Sequence, residues 1–246
     1  MATVASHRQS HRADHLFFSG VATLILASVF IGFARSYFFA GVIHAPLPNL
    51  LIHLHAAVFS LWITLLITQI ALVSVGWVDL HRQLGILATL LATAMIFTGF
   101  LAATDSLARG FSPPGSGLDA KSFYAMPVLQ IVAFSVLVVW GFRSRFDGPA
   151  HKRLMLLATI SIIGPAINRW PIPAIHRMPV LTSLAIDLFV VSLAGFDIWS
   201  KRSIHRATMQ GGLVIILSQH LMVQVGLSRP WHVFATLMQH FWNTSL

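Results

Sequence analysis

Residues 50–74 read LLIHLHAAVFSLWITLLITQIALVS, a run without one charged side chain. As a helix it would extend roughly 37 Å at about 1.5 Å per residue, more than the ~30 Å of a bilayer's hydrocarbon core. The run is continuous rather than alternating in polarity, which excludes a strand of a transmembrane barrel. Six further apolar runs flank it, at about 16–40, 82–104, 122–142, 152–169, 180–199 and 209–228. A helix satisfies its own backbone groups and is therefore the form in which such runs enter lipid. The predicted fold class is all-α: a polytopic transmembrane bundle of about seven helices, one leading helix followed by three hairpins. Pro165 predicts a kink in the fifth run, which Asn168-Arg169 ends early.

Composition agrees. Of 246 residues, 56% are hydrophobic and only 9% charged, and the mean hydropathy is +0.77. A soluble domain carries about 25% charged residues because its surface must face water. There is no cysteine, which rules out disulfides, thiolate metal sites and thiolate-ligated haem. There is no glutamate either, so carboxylate chemistry rests on seven aspartates. The net charge of +9 lies mainly in short loops beside the apolar runs. There it orients helices and meets anionic lipid, and no nucleic-acid partner is expected.

Three regions follow: a polar basic tail over 1–15, a transmembrane domain over 16–228, and an interfacial segment over 229–246. The first run is too long for a signal-peptide core and no small-residue cleavage site follows it, so it is read as a retained first helix. In the last region Trp231, Phe234, Met238 and Phe241 recur at helical spacing, the pattern of a helix lying along the interface. The longest connection, about 105–121, carries Gly110, Pro113, Pro114, Gly115 and Gly117 and is turn-rich. With a cytoplasmic N-terminus, ten basic residues fall inside: Arg8, Arg12, Arg82, Arg143, Arg145, Lys152, Arg153, Lys201, Arg202 and Arg206. Six fall outside: Arg35, Arg109, Lys121, Arg169, Arg177 and Arg229. The excess favours a cytoplasmic N-terminus and an outer C-terminus.

An internal repeat links the starts of the third and fifth runs, the returning helices of the first and second hairpins. His81 to Thr89 (HRQLGILAT) matches His151 to Thr159 (HKRLMLLAT) at the His, two Leu, the Ala and the Thr, and His205-Arg206 is a weaker third copy. Duplicated hairpins occur in transporters and in electron-transfer bundles alike.

Polar residues inside membrane helices are costly and face the bundle interior or a cavity. Here they form two tiers. The inner tier is Asp79, His81, His151, Asp197 and His205, with each histidine at the first turn of a helix. The partial positive charge of a helix N-terminus keeps imidazole neutral, the form that ligates metal or haem iron. Asp79 or Asp197 is positioned in sequence to accept the second ring N–H and fix its tautomer. The alternative is that these His-Arg pairs are interfacial residues beside headgroups. In the outer tier, His55, Trp62 and Gln69 share one helical face predicted to point inward, and His53 is rotated away by about 200°. Asp187 is expected to pair with Arg35 or Arg169, either as structural glue or as a polar path with Gln69. His220 should reach the depth of His55. Gly85, Ala88, Ala92 and Gly99 form a small-residue stripe suited to close helix packing or to a flat ring such as haem. The phosphate-loop, H-E-x-x-H and nucleophile-elbow motifs are absent, and Lys121, Lys152 and Lys201 all sit at helix ends.

The run Arg35-x-Tyr37-Phe38, His53-Leu54-His55, Trp62, Gln69 and His81-Arg82-x-Leu84-Gly85 resembles a group of uncharacterised bacterial multi-spanning membrane proteins. His151-Lys-Arg-Leu-Met155, Asp187, Asp197 and His205 are similar to the same group, so the likeness covers about residues 30–210. It implies a helical bundle of the bacterial inner membrane and brings no established activity. A second likeness, carried by His-x-x-Leu-Gly and the two histidine tiers, is to di-haem b-type cytochromes.

Three functions stay open. One is a haem b or divalent-metal protein passing electrons to or from quinone or another redox partner. Its ligands would be His55 and His220 outside and His81, His151 and His205 inside, with Asp79 and Asp197 orienting or ligating. Another is a proton-coupled transporter or small-molecule binding bundle with Arg35, Gln69 and Asp187 lining the path. The third is a scaffold without catalysis, its polar tiers holding helices in register.

Overall fold

A computed structural model describes residues 2–42, 49–113, 115–178 and 180–245, with side chains over 13–42, 49–113, 115–175, 178 and 180–244. The side chains of Arg8, Arg12 and Arg177, and Pro114 of the long loop, lie outside the described residues. The chain is all-helical: α1 Ala2–Phe33, α2 Leu50–Ser74, α3 Val78–Ala108, α4 Ala120–Arg143, α5 Gly148–Ser161, α6 Gly164–Ile167, α7 Pro173–Arg177, α8 Val180–Lys201, α9 Arg206–Gly226 and α10 Arg229–Ser245. A π-helical turn, Ala34–Phe38, extends α1. No strand occurs among the described residues.

Five stretches are long and apolar enough to cross a membrane: Ala13–Phe38, α2, α3, α4 and α8. The protein is thus a multi-pass integral membrane helical bundle. The seven runs are all helical, yet two differ from simple spans. The last run reaches span length and hydropathy only when α9 and α10 are taken together, and these are bent by 81°. The fifth run is divided into α5 and α6 at Ile162-Ile163.

The division has a local cause. Pro165 has no N–H and its ring crowds the carbonyl four residues back, which is that of Ser161. The chain leaves α5 through tightened bonds, Ile162 N–H to Thr159 O at 3.3 Å and Ile163 N–H to Ile160 O at 3.4 Å. The released Ser161 carbonyl accepts from Gln219 Nε2 on α9 at 3.4 Å. Irregular backbone at membrane depth survives only where protein encloses it, and α5–α6 is the innermost element. Leu154, Leu156, Leu157, Ala158, Ile160, Ile163 and Ile167 are all buried, with α4, α8, α9 and α1 packed around them.

Chain direction defines two ends. The lower end carries the 75–77, 144–147 and 202–205 connections, and the upper end carries 109–119, 168–172 and the α9–α10 bend. Side-chain caps mark several helix starts: Asn49 Oδ1 accepts from Ile52 N–H at 2.9 Å, Asp119 Oδ1 from Ser122 N–H at 2.8 Å, and Asp147 Oδ1 from Ala150 N–H at 3.2 Å. At the lower end Gly76, with φ of +84°, permits the tight α2–α3 turn. At the upper end α10 lies across α3 and α4. Trp231 Nε1 donates to Lys121 O at 2.8 Å, and Ala235 closes a second apolar cluster with Leu107 and Tyr124. Val233, Leu237 and Phe241 are exposed on its outer side, the disposition expected of an interfacial helix.

Candidate functional site

The internal repeat has a three-dimensional consequence. His81 stands in the first turn of α3 and His151 in the first turn of α5, and α4 packs against both helices. Their rings meet edge-on at the lower end of α4, with centroids 6.2 Å apart and planes 84° apart. Both are half-buried. His151 Nδ1 lies 2.8 Å from the Gly141 carbonyl. A carbonyl only accepts, so Nδ1 carries the proton and neutral His151 keeps its lone pair on Nε2. On the other ring, the buried Nδ1 of His81 has no hydrogen-bond partner. Gln69 reaches from α2 to hold this turn, Nε2 donating to the His81 carbonyl at 3.2 Å. One turn along α3, the space beside Gly85 is open, whereas Ala88, Ala92 and Gly99 are buried in helix contacts. The stripe therefore packs helices along most of its length and leaves room only next to His81.

The rest of the inner tier is placed elsewhere. His205 caps α9, its Nδ1 accepting from Ala207 N–H at 3.1 Å. Burial, and then the charges of Arg153 and Lys201, hold its pKa below the usual imidazole value, with Asp197 and Asp147 opposing. With Trp140, Ser144, Asp147 and Gln210 it lines a cavity of about 510 Å³. Asp79 is solvent-facing and pairs with Arg82 at 3.5 Å, away from the imidazoles. Asp197 orients no histidine ring. Fully buried, it accepts a forked contact from Arg153, which is also fully buried, with Arg153 Nε to Asp197 Oδ1 at 3.0 Å. Its Oδ2 takes the Thr208 hydroxyl at 2.5 Å and the His205 N–H at 3.1 Å. Nearby, Lys152 Nζ bonds Asp14 Oδ2 at 2.6 Å and sits 4.6 Å from the Phe18 ring centroid.

In the outer tier the inward stripe on α2 holds. Trp62 is buried and its Nε1 donates to Thr159 Oγ1 at 3.1 Å, while His53 turns aside to Tyr37 OH at 3.1 Å. His55 rests on Phe59 with centroids 4.2 Å apart, and its buried Nδ1 has no partner. His220 pairs instead with Asp187, Nε2 to Oδ2 at 2.8 Å, and no ring contact joins it to His55 among the described residues. Asp187 thus takes a histidine where an arginine was expected. Arg35 is exposed in the π-helical turn, and Arg169 bonds the Pro165 carbonyl at 2.8 Å. Arg35, Gln69 and Asp187 are not brought to one path.

Two features escaped the sequence reading, the Arg153–Asp197 pair and Gln219 at the helix break. A signal for the first existed. Arg153 shares a helical face with Leu156, Leu157 and Ile160, all buried, so its charge had to find a partner inside. Among the described residues no group of three or more His, Cys, Asp or Glu stands close enough to hold a metal ion. No family model, curated protein or solved structure matches the chain.

Proposed function

We propose that this chain is a haem b electron carrier of the bacterial inner membrane, with His81 and His151 as its two protein ligands. In this reading it belongs with the multi-spanning proteins its two histidine motifs resemble, with a cytoplasmic N-terminus and an outer C-terminus. The observation that carries it is the 6.2 Å approach of two imidazoles from equivalent repeat positions. With metal–imidazole bonds of ~2.0 Å and about 1.1 Å from nitrogen to ring centre, two rings sharing one metal would stand roughly 5–6 Å apart, the range in which this pair falls. Zinc would need three or four protein donors. Haem iron, already held by its macrocycle, needs at most two, which suits a site with no third donor among the described residues.

Haem would supply one-electron exchange between its ferric and ferrous forms. The protein's part follows from its own residues. The Gly141 carbonyl takes the His151 Nδ1 proton, which fixes the ring and raises the basicity of Nε2. Gln69 anchors the turn that carries His81. Each ring stands in the first turn of its helix, His81 on α3 and His151 on α5. One turn from His81, a Cβ on Gly85 would meet nothing within 4 Å, so no neighbouring atom crowds that side of α3.

Protein purified from haem-replete cells should show a Soret band and one haem per chain by pyridine haemochrome. His81→Ala and His151→Ala should each abolish or strongly shift it, whereas His55→Ala, His205→Ala and His220→Ala should leave it intact. A colourless wild-type protein that takes up no added haemin, or a spectrum unchanged in both ligand variants, would overturn the reading.

A further inference from the structure

The lower end of the bundle holds a cavity that the haem proposal does not use. It measures about 510 Å³ and lies between the end of α4, the start of α5 and the start of α9. His205 lines one side as a neutral ring, since its Nδ1 accepts from Ala207 N–H. Among the described residues that line the cavity, Arg206 is the one cation and Asp147 the one anion. Both are exposed, and they do not pair with each other. Arg206 has no carboxylate partner anywhere among the described residues. Asp147 uses Oδ1 to cap α5 at Ala150 N–H, and no donor among the described residues reaches its Oδ2. Ser144 and Gln210 stand in the same wall.

The depth of the cavity narrows what can enter it. Trp140 lies one turn before the end of α4, and Gln210 one turn after the start of α9. The cavity therefore sits where these helices leave hydrocarbon for water. From it the same two helix faces continue inward as apolar surface. Val136 and Val132 follow Trp140 at steps of four residues, and Leu213 and Leu217 follow Gln210, all four exposed. Since α4 and α9 pack side by side, these residues form a seam that leads from the cavity into the lipid. A polar cavity continued by an apolar seam fits a phospholipid, with its head in the first and its chains along the second.

The two charges select the head. Any phospholipid brings a phosphate for the Arg206 guanidinium, with Gln210 as a second donor. The rest of the head must then meet Asp147. A glycerol head brings no cation, and a serine head adds a carboxylate that Asp147 repels. A choline head is cationic, but its nitrogen carries no hydrogen to donate. An ethanolamine head ends in a primary ammonium, whose three N–H donors suffice for Asp147 Oδ2 and the Ser144 hydroxyl together. We propose that this cavity binds a phosphatidylethanolamine, its phosphate on Arg206, its ammonium on Asp147 and its chains along the α4–α9 seam. The assignment uses neither His81 nor His151.

Native mass spectrometry of the full chain in detergent provides the test. Delipidated protein is offered equal amounts of dioleoyl phosphatidylethanolamine, phosphatidylglycerol and phosphatidylcholine. Wild type should retain the ethanolamine lipid about tenfold over the other two, the worth of one hydrogen bond to a charged group. Asp147→Asn keeps the α5 cap and removes only the charge, so the advantage over phosphatidylglycerol should vanish. Arg206→Gln, at an exposed position, should lower retention of the ethanolamine lipid by a similar factor. Glycerophosphoethanolamine, the same head without chains, should compete only weakly, which separates a lipid from a soluble zwitterion. His81→Ala should retain the lipid as wild type does, which separates this site from the haem reading. Equal retention of the three lipids by wild type would overturn the assignment. So would an ethanolamine preference that survives either cavity variant, or competition by glycerophosphoethanolamine as strong as by the intact lipid.

Discussion

His205 shows how much one neutral ring can do at the lower end of the bundle. Its Nδ1 accepts the Ala207 N–H and so satisfies one of the orphan donors of α9. The His205 backbone N–H meanwhile donates to Asp197 Oδ2. Protonation would put a hydrogen on Nδ1 and remove the cap. Burial and the positive charges of Arg153 and Lys201 oppose that protonation, against Asp197 and Asp147, so the folded-state pKa lies below 6.5. The sign follows from linkage. Between the folded and unfolded values the unfolded chain binds more protons, so stability is full above about pH 6.5 and falls as pH drops toward the folded value. Melting temperatures in detergent should therefore decline from pH 7.5 to 5.5. Asn accepts the same cap bond without titrating, so His205→Asn should decline less than wild type over that range. Equal slopes in the two proteins would remove His205 as the source.

At the scale of elements, the fifth run separates what periodicity reveals from what packing decides. Its apolar content and Pro165 predicted a bent helix, and a bend is present. That the segment splits in two and sits at the centre follows from the partners it meets, and those are set by tertiary structure. Gln219, which answers the freed Ser161 carbonyl, is 58 residues away. In the same way the inward face of α2 was legible because period alone orients Trp62 and Gln69. The partner of Asp187 was not, because His220 lies on another helix and charge alone favoured arginine. The α1–α6 contact permits a sharp test. A Cβ on Gly32 would lie 2.1 Å from the Ala166 carbonyl oxygen, whereas one on Gly20 would meet nothing within 4 Å. Backbone cannot swing aside as a side chain does. Gly32→Ala should therefore destabilise by about 1–3 kcal/mol, the usual cost of overpacking, and Gly20→Ala should be neutral or mildly stabilising. Thermal melts of the two variants in one detergent provide the comparison. Equal melting would mean that α1 and α6 approach less closely than described.

For the molecule as a whole, the bundle could be read from hydropathy because lipid imposes a composition on every span, whatever its neighbours. The site could be read only in part. The repeat marked His81 and His151 as equivalent, and the chain brings them together. His205 and Asp197 shared the same level and were drawn instead into holding helices in register. That second role is where the assembly is most exposed to a single change. Arg153 and Asp197 are both fully buried and join α5 to α8, with Thr208 and the His205 N–H adding α9. The Arg153 guanidinium also sits 5.8 Å from the Phe18 ring centroid on α1. Removing one partner of such a pair costs about 3–5 kcal/mol because a bare charge remains inside. Asp197→Asn keeps an oxygen for Thr208 and the His205 N–H and deletes only the charge, so it should lower the melting temperature strongly. Adding Arg153→Met fills the same volume without a charge and should restore much of the loss. A pair that mattered only for hydrogen bonding would give the opposite ranking, with the double variant weaker than Asp197→Asn alone.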